Sequence, residues 1–478
     1  MMMINWQQEV ENRKEELFSK LKEFLSIRSV EEEASKEEGA PFGKGVAQAL
    51  QFILDESKAA GFKTKNLDGF AGHAEMGEGE ELIGILCHVD VVPEGTGWTT
   101  PPYQPTIRNG RIYARGAVDD KGPTMAALFA ARIVKDLGLP LNRRVRLIFG
   151  ANEETGWKCV EHYFAHEEMP TLGFAPDADF PIIYAEKGIM GIRIHLPIAT
   201  DHGKNVGKQN ESQILLSRFQ AGYRSNMVPE TAMAELHGSA GQLKEVEEGF
   251  LHYCKQFQLE GHAKLTGEQI NLQLEGKAAH GSMPELGINA GVMLIHFLKG
   301  LNIDDEASRW VNLIDQFFYE DTKGAKLGVA REDEISGALT NNAGVLSYEQ
   351  GGKNEVQLNL RYPVSYQGGP IFQQVQEVLQ AAGAEVELLS DQAPHHVNED
   401  DELVTTLQRV YEEQTGQPAK LIAIGGGTYA RVLKRGVAYG PVFPGREDVA
   451  HQRDEYIEID DLLRATAIYA QAIYELAK

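Results

Sequence analysis

Cysteine is scarce in this chain: Cys87, Cys159 and Cys254 are the only three in 478 residues, widely spaced and without a CxxC pair. That excludes a disulfide framework and a thiolate zinc site, and it fits a reducing compartment, the cytoplasm. Basic charge is short as well, with 46 Lys and Arg against 70 Asp and Glu and a formal charge of −24. Such a surface repels phosphate backbones and anionic membranes, so nucleic acid and membrane partners are excluded; most of the charge reads as a solvated face. No apolar run reaches the roughly 18 residues needed to span a bilayer. The N-terminal MMMINWQQEVENRKEELFSKLKEFL lacks the apolar core and small-residue cleavage site of a secretion signal, and predicts an amphipathic surface helix. IAIGGGTYAR has neither GxGxxG spacing nor a P-loop lysine, which removes a phosphate loop.

What is present is a globular composition, 42% hydrophobic and 24% charged, on a chain long enough for two or three domains. From Leu82 to about Ala185 short apolar runs alternate with helical patterns: LIGILC, TMAALFAARIVKDLG, VRLIFG and LGFA. The tail repeats the style with LIAIGGG, GVAYGPV and the closing helix DDLLRATAIYAQAIYELAK. This predicts an α/β fold, a mostly parallel sheet covered by helices, over residues 1–188 and 393–478. Residues 189–392 read instead as strands of alternating polarity, an inserted α+β lid domain with one wet sheet face. A strand, helix, strand unit (ETAMAELHG, QLKEVEEGFLHYCKQF, INLQLEGKA) has an echo in EVQLNLRYP, IFQQVQEVLQAAG and EVELLSD, so the lid reads as a doubled unit.

In open α/β sheets ligands gather beyond the carboxyl ends of the strands. Polar residues accumulate there: His88 and Asp90 after ILC, Asp119 and Asp120 after RIYARGAV, Glu153 and Glu154 after VRLIFGAN, Asp177 after LGFAP, and His451 with Glu455 after VFPGREDVA. Each alone has a plain explanation as a cap, a turn or a hydrogen-bonded structural residue. Together, four carboxylate sites on one sheet edge would repel strongly unless cations neutralise them. Histidines and carboxylates without thiolate suit Zn²⁺ first, with Mn²⁺ or Co²⁺ as alternatives, over Ca²⁺ or Mg²⁺. Asp90, two residues beyond His88, is placed to accept the second ring N–H and fix its tautomer.

The motifs LCHVDVVPEG, YARGAVDDKGPTMA, NEETGW, PDADFP, GKAAHGSMPE, LNLRYP and HQRDE, in that order over nearly the whole chain, resemble the M20 metallopeptidases, and among them the bacterial dipeptidases of the PepV type. The resemblance implies two metal ions, one held by His88, Asp119 and Asp177 and the other by Asp119, Glu154 and His451, with Asp119 bridging. Asp120 and Asp179 are the neighbouring alternatives to Asp119 and Asp177. It implies a cis peptide between Asp119 and Asp120, and Glu153 as general base to a bridging water acidified to a pKa of about 7. His280 from the inserted domain would stabilise the oxyanion, which requires the domains to close on substrate. Asn226 and Arg361 are similar to the family's substrate contacts, and Gly425, Gly426 and Gly427 could offer backbone N–H groups to the same end. The implied activity is hydrolysis of short peptides, dipeptides with a free N-terminus above all. The rivals are an N-acyl amino acid deacylase or carboxypeptidase, and a silent binding protein of the same fold. A doubled lid would imitate the partner subunit that shorter family members supply by dimerising, which implies a monomer. His395 and His396 receive no role.

Overall fold

The computed structural model describes residues 4–197 and 213–478; part of the inserted segment, 198–212, therefore lies outside the described residues. The chain forms two compact units, one of Met1–Ala185, His396–Ala423 and Thr428–Lys478, the other of Glu186–His395 and Ile424–Gly427. Residues 424–427, which the sequence division assigns to the discontinuous domain, group with the intervening segment instead.

In the first unit the sheet runs in the order Lys63–Leu67, Ala71–Met76, Arg144–Gly150, Leu82–His88, Leu172–Ala175, Gly436–Ala438, Ile182–Glu186. Its centre is parallel, Leu82–His88 pairing on one side with Arg144–Gly150 and on the other with Leu172–Ala175, which pairs in turn with Gly436–Ala438. All seven residues of Leu82–His88 are buried, which is why it reads as a continuous apolar run rather than an alternating one. Helices Lys121–Asp136 and Ile459–Ala477 pack on each other and on that strand. Both are buried over most of their circumference and rich in alanine, a small side chain that suits helices packed on both sides. The amphipathic N-terminal helix expected from sequence is present but broken into two, Trp6–Glu11 and Lys14–Leu25, the second burying Leu17, Leu21, Phe24 and Leu25 while Glu15, Glu16, Lys22 and Glu23 stay exposed. Among the described residues no helix is long and apolar enough to cross a membrane.

The second unit is one antiparallel sheet with helices. Its strand order is Glu260–Thr266, Gln269–Glu275, Thr231–His237, Leu215–Ala221, Thr340–Glu349, Asn354–Tyr362, Gly188–His195, Glu385–Gln392. This order is palindromic about the pair Leu215–Ala221 and Thr340–Glu349. In each half a hairpin leads into a helix, Ala240–Phe257 or Gly368–Ala381, then into an edge strand, and a further strand is inserted between the edge strand and the hairpin. The doubling is therefore present with a different correspondence: the counterpart of Glu385–Gln392 is the edge strand Glu260–Thr266, and Gln269–Glu275 corresponds to Gly188–His195. The sequence pairing passed over Glu260–Thr266, whose alternating face carries only the small or partly exposed Gly261, Ala263 and Leu265, in favour of the more strongly apolar Gln269–Glu275.

One buried histidine of the first unit ties its stability to pH. His73, on Ala71–Met76, has its Nδ1 2.8 Å from the Tyr163 hydroxyl, to which Arg146 donates at 3.3 Å. Burial, reinforced by the Arg146 charge, pulls its pKa from 6.5 to about 4, so the ring is neutral and accepts the Tyr163 proton. Between those two values the unfolded chain binds a proton that the folded chain refuses, and stability falls as pH drops through that window by up to about 3 kcal/mol. In urea unfolding between pH 7 and pH 4.5, His73→Asn, whose side-chain oxygen takes the place of Nδ1 as acceptor and does not titrate, is expected to lose that share of the acid sensitivity. Parallel profiles for the two proteins would remove His73 as its source.

Candidate metal centre

The parallel strands of the first unit end at the residues that matter. His88 closes Leu82–His88, Glu153 and Glu154 follow Arg144–Gly150, and Asp177 follows Leu172–Ala175. His88 donates from Nδ1 to the backbone carbonyl of Asp90 at 3.0 Å. A carbonyl can only accept, so that proton sits on Nδ1 and Nε2 is left as the ligand atom. Nε2 lies 3.0 Å from Asp119 Oδ1 and 3.7 Å from Asp177 Oδ2. The other oxygen of Asp119, Oδ2, lies 2.9 Å from His451 Nε2, which is itself 3.0 Å from Glu154 Oε2. Asp119 thus presents one oxygen to each histidine. Ligand atoms of His88, Asp119 and Glu154 all lie within 4.8 Å of one another.

Neighbouring acids are turned to other uses. Asp120, joined to Asp119 by a cis peptide, accepts the His88 N–H at 3.0 Å and the Thr124 hydroxyl at 3.0 Å. Asp179 is exposed beyond Asp177. The Asp90 carboxylate does not chiefly serve the His88 ring, from which it stands 3.5 Å; its two oxygens accept the backbone N–H groups of Glu153 at 3.0 Å and Glu154 at 3.1 Å. The reason is geometric: a residue two beyond the histidine brings its carbonyl to the ring and its side chain to the next turn. Trp157, in left-handed backbone at φ 62°, folds its indole back to donate to Glu153 Oε1 at 3.0 Å. Neither Trp157 nor the buried Arg115–Glu455 pair was assigned from sequence, although NEETGW and YARGAV display Trp157 and Arg115. Gly150 is needed at its strand end because a Cβ there would fall 2.0 Å from the Tyr429 hydroxyl.

The electrostatics ask for cations. Burial pushes the carboxyls of Asp120, Glu153, Glu154 and Asp177 above their ordinary range, and mutual repulsion adds to it. Asp119 is pushed the same way by burial, but hydrogen bonds from His451 and His88 outweigh that and hold it below the usual range. Hydrogen bonds to Asp119 and Glu154 raise His451 to about 11; His88 is driven up despite its burial, by the Asp177 charge and the bond to Asp119. Glu154 Oε1 is buried without a hydrogen-bond partner. An orphaned carboxylate oxygen beside two histidines and a two-faced aspartate is a donor set that fits divalent metal.

The remaining residues singled out from sequence gather within the second unit. The backbone of Asn226 accepts the Gly281 N–H at 2.7 Å, and Met227 pairs with His280 in an antiparallel bridge. The Nδ1 of His280 accepts the Ser282 N–H at 3.3 Å and lies 2.7 Å from the Ser282 hydroxyl. The ring proton is therefore on Nε2, and burial together with the Arg361 charge lowers the pKa and keeps the imidazole neutral. Arg361 donates from Nε to Asn359 at 2.7 Å and from Nη1 to the Gly425 carbonyl at 2.9 Å. Gly425 is fixed as glycine, because a Cβ would meet the Ser282 Cβ at 2.7 Å.

The chain is similar to known proteins over nearly its whole length. YtjP of Bacillus subtilis (strain 168), provisionally named a dipeptidase, is 52% identical over 475 residues, covering 99% of this chain and 100% of that protein. SH1171 of Staphylococcus haemolyticus, named in the same provisional way, is 39% identical over 98% of this chain and 99% of its own length. Among solved structures, human carnosine dipeptidase 1 shares the fold at a TM-score of 0.57 and 16% identity over 98% of each chain. The family profile described as peptidase family M20/M25/M40 matches residues 84–475, a span that holds every ligand candidate from His88 to His451, and the chain belongs to that family of metallopeptidases.

Proposed function

We propose that the protein cleaves the peptide bond of short peptides, dipeptides with a free N-terminus first, using two divalent ions, zinc ahead of manganese or cobalt. The observation that carries this reading is the two-faced Asp119, one oxygen toward His88 and the other toward His451. His88, Asp119 and Asp177 would hold one ion, and Asp119, Glu154 and His451 the other. Bound there, the ions would neutralise the carboxylates, polarise the scissile carbonyl and acidify the attacking water.

The chain's own residues do the rest. Trp157 fixes Glu153 through Oε1, which leaves Oε2 to take a proton from the water and return it to the departing amine. Asp90 holds the Glu153–Glu154 turn by two backbone N–H groups, so base and ligand keep one spacing. We assign substrate recognition to the second unit: the Nε2–H of His280 as an oxyanion donor, and Asn226, Arg361 and Gly425 to Gly427 toward the C-terminal carboxylate. The provisional dipeptidase names of the two full-length relatives support the choice of substrate. Three buried free cysteines support a cytoplasmic setting, and the two-halved sheet of the second unit supports a monomer.

The test is hydrolysis of unblocked dipeptides, tripeptides and N-acetyl amino acids by metal-stripped protein with Zn²⁺ or Mn²⁺ restored. Metal-dependent cleavage of dipeptides alone is expected. Cleavage of the acylated compounds instead would make the protein a deacylase, and silence on every substrate a binding protein.

A further inference from the structure

We propose that the buried Arg115–Glu455 pair is a positioning clamp that sets Asp119 and His451 together, and so governs affinity for the ion at the Asp119–Glu154–His451 position. The proposal rests on the two-ion reading above. Glu455 and Arg115 are almost wholly buried, at 0% and 1% exposure, with Arg115 Nη1 2.7 Å from Glu455 Oε2. Such a pair is a poor device for stability alone, since desolvation consumes much of what the attraction returns. Where its remaining hydrogen bonds go is therefore informative.

They go to the ligand-bearing turns. Glu455 Oε2 also accepts the Gly116 N–H at 3.0 Å, and Oε1 accepts those of Val118 at 2.9 Å and Asp119 at 3.2 Å. Its backbone carbonyl takes the Ala114 N–H at 3.1 Å. One residue thus gathers the turn that delivers Asp119. Arg115 uses its second terminal nitrogen, Nη2, on the carbonyl of His451 at 3.3 Å and reaches that of Pro93 at 3.5 Å. His451 needs such a hold: it lies outside helix and strand, half-exposed, in left-handed backbone at φ 63°, a conformation that non-glycine residues keep only when their surroundings impose it. The His88 side is anchored separately, at the end of a buried strand and through Nδ1 to the Asp90 carbonyl. Loss of the clamp should therefore strike one ion position harder than the other.

The measurement is the affinity and stoichiometry of Zn²⁺ by competition with a chromophoric chelator, with melting temperatures of the ion-free proteins, on the full chain. Glu455→Gln keeps the volume but turns an N–H₂ group toward backbone donors. The Zn²⁺ ion at the Asp119–Glu154–His451 position is expected to bind about 10- to 100-fold more weakly, the range for residues that orient ligands, while the other ion, which shares Asp119 but keeps the separately anchored His88, weakens less. Arg115→Lys, which keeps the charge beside Glu455 but loses the fork to the His451 carbonyl, should show a smaller weakening of the same ion, and it carries the test if Glu455→Gln does not fold. Val134→Ala, in the buried part of Lys121–Asp136, is the control that lowers melting temperature without touching the clamp, and its Zn²⁺ affinities should be those of the parent. The clamp is overturned if Glu455→Gln and Arg115→Lys bind both ions like the parent, or if Val134→Ala weakens binding as much. A parent chain that binds fewer than two Zn²⁺ ions overturns the two-ion reading itself, and the clamp with it.

Discussion

Glu153→Gln is expected to lower kcat for dipeptide hydrolysis by about 10²- to 10⁴-fold, the usual worth of a positioned general base, with Zn²⁺ affinity unchanged. Two features make the separation sharp. Glutamine matches glutamate in shape and can still accept the Trp157 indole N–H at the Oε1 position, so the side chain stays where it is. The Glu153 backbone is held independently by Asp90, so the turn that carries Glu154 should not move. What the variant lacks is a site for the proton, since a carboxamide oxygen is far too weakly basic to take one from water near neutral pH. Steady-state kinetics beside a Zn²⁺ titration distinguishes the alternatives. Retained kcat would transfer the base role elsewhere, and a loss of kcat matched by loss of Zn²⁺ would make Glu153 a ligand.

The sequence disclosed the ligand candidates because the local physics is simple. A strand buried on both faces must be apolar throughout, so LIGILC and VRLIFG stand out, and the polar residue that ends each run is placed by topology at the sheet edge. That reasoning located His88, Glu153, Glu154 and Asp177 without long-range information. It could not see the partners that hold them, since Glu455 meets Gly116 to Asp119 from more than 300 residues away and nothing in the local pattern records the pairing. It placed Asp90 at the His88 ring, whose Nδ1 lies 3.0 Å from its carbonyl and 3.5 Å from its carboxylate, but could not show that the same carboxylate also takes the N–H groups of Glu153 and Glu154. In the inserted segment the alternating strands were legible from their wet and dry faces, whereas the alternation of Glu260–Thr266, carried by Gly261, Ala263 and Leu265, is too weakly apolar to stand out. The grouping of Ile424–Gly427 with the second unit was hidden for the same reason as Glu455: it depends on tertiary contacts, such as that of Arg361 with Gly425.

Removing Asp119 should have the other large effect, and it tests the charge argument directly. In the parent, Zn²⁺ at about 1,000 times its dissociation constant is expected to add roughly 4 kcal/mol per ion position to unfolding free energy, since binding to the folded form alone stabilises by mass action. The source is electrostatic. Burial raises Asp120, Glu153, Glu154 and Asp177, and both histidines are driven toward the protonated form, so the site draws positive charge from protons when no metal supplies it. Metal must displace those protons from its ligands, which makes binding tighter as pH rises. Asp119→Ala deletes the side chain that gives one oxygen to each histidine, so both ion positions lose a ligand at once, and Zn²⁺ should no longer raise the midpoint of urea unfolding, with dipeptide hydrolysis falling to background. Asp177→Ala, by contrast, deletes a group near His88 alone and should leave part of the stabilisation. If Asp119→Ala kept the full Zn²⁺ effect and Asp177→Ala lost it, the shared ligand would be a different residue and the two-ion assignment would have to be rebuilt around His88 and Asp177.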